Sequence, residues 1–62
     1  MSKVEIKVWL KNEVEMAEGA VATTEMLAET ATGSERRGRL IEWRKAQVEL
    51  RVARDLYARA TA

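Results

Sequence analysis

The stretch Ala31-Thr32-Gly33-Ser34-Glu35 decides the fold, because it is the one place in the chain that reads as a turn. Gly33 can take the left-handed backbone conformation that ends a helix, and a polar capping residue follows at once. Thr32 and Glu35 stand at capping-box spacing, and Ser34 is an equally good N-cap, so a second helix is predicted to begin within a residue or two of this point. Elsewhere the chain has no proline and is dominated by Ala, Glu, Arg, Leu and Met, all strong helix formers. Ser2 and Glu5 repeat the capping-box spacing at the start of the chain. The expected fold is therefore all-α: an antiparallel two-helix hairpin, with a helix over about 3–31, a turn at 32–34 and a helix over about 35–60. It forms a single domain spanning 1–62.

One segment competes with this reading. Lys3-Val4-Glu5-Ile6-Lys7-Val8 alternates polar and apolar residues with β-branched side chains on one side, the pattern of a half-buried strand.

The apolar residues of each helix fall on two seams. In the first helix Leu10, Val14, Ala17, Val21, Thr24, Ala28 and Ala31 step by four and three, which is a heptad seam. Beside it run Ile6, Trp9, Glu13, Met16, Ala20, Thr23 and Leu27, where only Glu13 is out of character. In the second helix Trp43, Ala46, Leu50, Ala53, Tyr57 and Ala60 form an unbroken heptad seam, with Ile41, Val48, Val52 and Leu56 on a different face. If the chain reverses at Gly33, residues whose numbers sum to about 67 face each other. Leu10 then meets Tyr57, Val14 meets Ala53, Ala17 meets Leu50, Val21 meets Ala46 and Thr24 meets Trp43, so nearly every large side chain opposes a small one.

A chain of 62 residues buries only about 60% of the surface its unfolded form exposes, so its core is marginal. Disulfides and metal sites are the usual staples of such small proteins, and this chain has neither cysteine nor histidine. Self-association is the staple left. The hairpin uses one seam per helix, which leaves Ile6, Trp9, Met16, Leu27, Ile41, Val48, Val52 and Leu56 facing outward as a candidate protein interface. A second copy would close this surface into a four-helix bundle. Trp9 is the best single contact candidate, because an exposed tryptophan is a frequent hot spot, whereas Trp43 belongs to the inner seam. Glu13 is expected to reach water from the rim of its seam; if buried it needs an arginine, and Arg54 or Arg59 stands at about the right height.

Composition excludes several functions. Without histidine no hydrolytic triad forms, and alanine-rich seams leave little cavity in which to desolvate a lysine or serine nucleophile; no enzymatic activity, cofactor, metal or small-molecule substrate is expected. Glu25 and Glu29 lie one helical turn apart, but di-metal bundles add histidines that this chain lacks. The absence of cysteine gives no sign of an oxidising compartment. No stretch has the length of a membrane span or the apolar core of a signal peptide, so a complete cytoplasmic chain without membrane contact is expected.

Net charge is only +1, but the halves differ. Residues 2–31 carry three lysines against six glutamates, a net of −3, and residues 34–62 carry seven arginines and Lys45 against Glu35, Glu42, Glu49 and Asp55, a net of +4. The plain reading is two helices that attract each other. The other is a basic binding face: Arg37, Arg44 and Arg51 recur every seven residues, about 10.5 Å apart along a helix, with Arg36 and Arg39 beside the loop. Such a stripe suits phosphate oxygens, although Glu35, Glu42 and Glu49 repeat with the same period and no groove-reading motif accompanies it.

A tight turn and alanine-rich seams in a chain of this length resemble the Rop family of small plasmid RNA-binding regulators. The likeness is of plan and rests on no shared motif; it implies a dimeric hairpin and makes RNA binding a candidate function. If residues 3–8 are a strand, the chain resembles the ribbon-helix-helix DNA-binding family, in which Lys3, Glu5 and Lys7 would enter the major groove. The first expectation is a non-enzymatic interaction module, an accessory protein of the phage or plasmid type, that self-associates or docks on another protein. The alternative is a nucleic-acid-binding regulator using the arginine face.

Overall fold

Ser2 starts the first helix as its sequence context requires. Extended at φ −77° and ψ 163°, it places its Oγ where the backbone N–H of Glu5 donates to it at 3.2 Å, which satisfies one of the free donors of the first turn. In the computed structural model, which describes residues 2–62, helix α1 runs over Lys3–Thr30 and helix α2 over Glu35–Thr61. Residues 3–8 are thus α-helical, and no strand occurs among the described residues. The ribbon on which the ribbon-helix-helix resemblance depended is absent from these residues.

The turn is built differently from the expectation at two points. Gly33 does adopt a positive φ of 63°, but it lies beyond the end of α1 and does not cap it. The last bond of α1 comes instead from Ala31, whose N–H donates to the Leu27 carbonyl at 3.0 Å before the chain turns extended. Ser34 makes no capping bond, because at φ −69° and ψ −20° it is already helical, and only an extended residue aims its hydroxyl back at the first turn. The Gly33 carbonyl accepts from Arg36 N–H at 3.4 Å in its place.

A Cβ added at Gly33 would meet nothing within 4 Å, so space does not demand glycine; the left-handed backbone does. Gly33→Ala is therefore expected to destabilise by about 1–2 kcal/mol. That lowers the melting temperature by roughly 4–16 °C at this size, readable in a thermal denaturation curve. An unchanged melting temperature would mean the turn is not held in this conformation.

The two helices pack along the predicted seams. Leu10, Ala28, Ala46 and Ala53 are buried, and Val14, Ala17, Val21, Thr24, Trp43, Leu50, Tyr57 and Ala60 are half-buried. Residues whose numbers sum to about 67 line common grooves at both ends of the hairpin. Lys7 and Ala60 line one groove near the termini, Leu10 lines another with Ala53 and Leu56, and Glu29 lines a third with Arg36 and Leu40 near the turn. One polar group is stranded in this seam: the indole Nε1 of Trp43 is buried with no hydrogen-bond partner, at a cost of about 1–3 kcal/mol. The hydroxyls of Thr24 and Thr30 are spent on carbonyls one turn back, Thr24 donating to Ala20 at 2.7 Å and Thr30 to Met26 at 3.0 Å.

The opposite net charges of the two halves close no ion pair between the helices. The two ion pairs among the described residues, Arg39 to Glu42 at 3.2 Å and Arg59 to Asp55 at 3.0 Å, both lie within α2 and are open to solvent, with only Arg39 half-buried. Each contributes little. Attraction between α1 and α2 is therefore a diffuse field, and apolar packing sets the pairing.

Candidate functional site

Successive residues of a helix are turned by about 100°, so each helix of the hairpin has two flanks beside its inner seam. On α1 the flank holding Trp9, Glu13 and Met16 and on α2 the flank holding Glu49, Val52 and Leu56 fall on the same broad face of the molecule. Trp9, Leu10 and Glu13 from α1 line one shallow groove with Val48, Val52 and Leu56 from α2. Its volume of about 270 Å³ is below the usual range of small-molecule pockets, and it is open along its length. Trp9 is 53% exposed, Met16 69%, Val48 56% and Val52 53%. These are large apolar side chains that one hairpin leaves in water.

Four of the eight expected interface residues, Trp9, Val48, Val52 and Leu56, therefore meet in one groove. Ile41 extends the strip through a second depression that it shares with Arg44, Lys45 and Val48. Met16 is exposed on the same flank of α1, and Ile6 sits at the open end near Lys3, Lys7 and Arg59. Leu27 departs from the expectation. It is half-buried, because near the turn this position rotates toward α2, as a straight helix drifts against a heptad repeat by about 20° per seven residues. Four exposed apolar residues, Val4, Val8, Met26 and Leu40, belong to neither seam, and the heptad reading did not single them out.

Glu13 is half-buried on the rim of the groove, among Trp9, Leu10 and Val52, and neither expected arginine reaches it. Arg54 lies on the other flank of α2, beside Val21 and Leu50, and Arg59 is engaged by Asp55.

The arginines do not gather on one surface. Arg36 lines a groove with Glu25, Glu29 and Trp43, Arg51 lines another with Val21 and Arg54, Arg44 borders the Ile41 depression, and Arg39 is half-buried and bound to Glu42. Arg37, Arg44 and Arg51 remain an exposed stripe without ion-pair partners among the described residues. No group of acidic, histidine or cysteine side chains able to hold a metal occurs among the described residues, and no helix there is long and apolar enough to cross a membrane.

The fold defines an all-α helical hairpin that leaves apolar side chains exposed along the Trp9 and Val52 face. No protein-family model, curated protein or solved structure matches the chain.

Proposed function

We propose that the protein is a non-enzymatic interaction module whose working form is a self-associated hairpin. The observation that carries this reading is the amount of surface left in water. The accessible area is 5032 Å² for 7.0 kDa, whereas a compact monomer of that mass exposes about 4,000 Å². Folding one hairpin thus removes only about half of the roughly 10,000 Å² that the unfolded chain exposes. The Cα radius of gyration of 14.3 Å, in a body measuring 48 × 15 × 13 Å, likewise exceeds the roughly 10.6 Å of a compact domain of this length. A rod with an apolar face is half of a bundle in shape as well as in area.

Sedimentation at micromolar concentration tests the reading. The expected species is a dimer whose melting temperature rises with protein concentration. A well-folded monomer with a concentration-independent melting temperature would overturn it. Nucleic-acid binding through the exposed Arg37, Arg44 and Arg51 stripe is the second reading. It is told apart by salt, since phosphate contacts weaken steeply as salt rises and apolar docking does not.

A further inference from the structure

Resting on that reading, we infer that the occupant of the apolar face is a second copy packed face to face with both turns at the same end of the bundle. The first reason is where the patch lies. Trp9 and Met16 belong to the first half of α1, and Val52 and Leu56 to the second half of α2, so most of the patch lies in the half of the hairpin that bears the termini. The turn half of the same face carries Thr23, Glu42 and Lys45, with Ile41 as its one large exposed apolar side chain. A two-fold axis parallel to the helices lays patch on patch along the full length. An axis perpendicular to them lays the patch on the polar half, or slides the copies apart and leaves the turn halves uncovered.

The second reason is charge. The α1 half carries −3 and the α2 half +4. With the turns together, α1 of one copy lies over α2 of the other, and every helix is flanked by two helices of opposite sign. With the turns apart, α1 lies over α1 and α2 over α2, which sets like against like. Neighbouring helices are antiparallel in both arrangements, so helix dipoles do not distinguish them.

Area accommodates a second copy: covering the excess of about 1,000 Å² on each chain would bury about 2,000 Å² for a pair, at the upper end of a standard-size interface.

The chain lacks cysteine, so Thr32→Cys and Ala62→Cys each give one labelling site. Both residues are exposed and outside the helices, which leaves folding intact. In pulsed electron-spin distance measurements, spin labels at Cys-substituted position 32 are expected less than half the 48 Å molecular length apart, and the same holds for labels at position 62. A mixture labelled at 32 on one copy and 62 on the other should give a long distance. Long distances at like positions with a short mixed distance would overturn the arrangement and leave self-association standing. A folded variant with no distance between copies would overturn self-association itself.

Discussion

The double variant Trp9→Glu, Val52→Glu is expected to sediment as a monomer and to lose most of its helical circular dichroism at micromolar concentration. The size of the effect separates the assembled state from the single hairpin. Trp9 and Val52 are each 53% exposed in one hairpin, and substitutions at such positions ordinarily shift stability by about 0.5 kcal/mol or less. Covered by a second copy, the same two changes place four carboxylates in an apolar interface, beside Glu13 and Glu49 that already border the groove. Charges brought into such a surface without partners cost several kcal/mol each. The control Glu15→Gln, Arg44→Gln changes two exposed residues and should alter neither sedimentation nor helix content. A double variant that keeps its helix and its sedimentation would show that this face covers nothing.

Leu10→Ala is expected to lower the melting temperature more than any other single truncation within the hairpin seam. Leu10 is 8% exposed and is the one large side chain among the four buried residues, the others being Ala28, Ala46 and Ala53. Leucine-to-alanine changes in cores cost about 2–5 kcal/mol. For a domain of this size each kcal/mol is worth about 4–8 °C, so the expected fall is roughly 10–40 °C. Ala53, which shares a groove with Leu10, cannot close the gap, since it has no side-chain length with which to move in. Val4→Ala removes the same kind of group from a side chain that is 70% exposed, and its melting curve should move by no more than a few degrees. A fall below about 5 °C for Leu10→Ala would place the stability of the protein outside the α1 and α2 seam.

The arginine set shows why part of the candidate site was not legible in the sequence. Seven-residue spacing puts Arg37, Arg44 and Arg51 on one stripe, and the structure keeps them there. Proximity to the loop adds Arg36 and Arg39 in the sequence, but in the structure the first lines a groove with Glu25 and Glu29 and the second is tied to Glu42. Linear closeness is not angular closeness on a helix, where adjacent residues point about 100° apart. Glu13 gives the same lesson. Height along the hairpin selected Arg54 and Arg59 as its partners, yet one lies on the opposite flank and the other is held by Asp55 four residues away.

The two helices, their single break at Gly33 and the inner seam from Leu10 to Ala31 and from Trp43 to Ala60 can all be read from the order of residues alone. These depend on local bonds four residues apart and on an apolar period, both of which are written along one chain. The Ser2 cap was legible for the same reason, since a serine three residues before a glutamate needs nothing distant to act. The fate of the flanks emerges only once the helices are packed: Leu27 turns inward, Trp9 and Leu56 share a groove, and Ser34 starts α2 without capping it. A period reports the angle of a side chain about its own helix axis. Whether that angle meets water or the neighbouring helix is fixed by how the two axes lie against each other, and that follows from the packing of the whole seam.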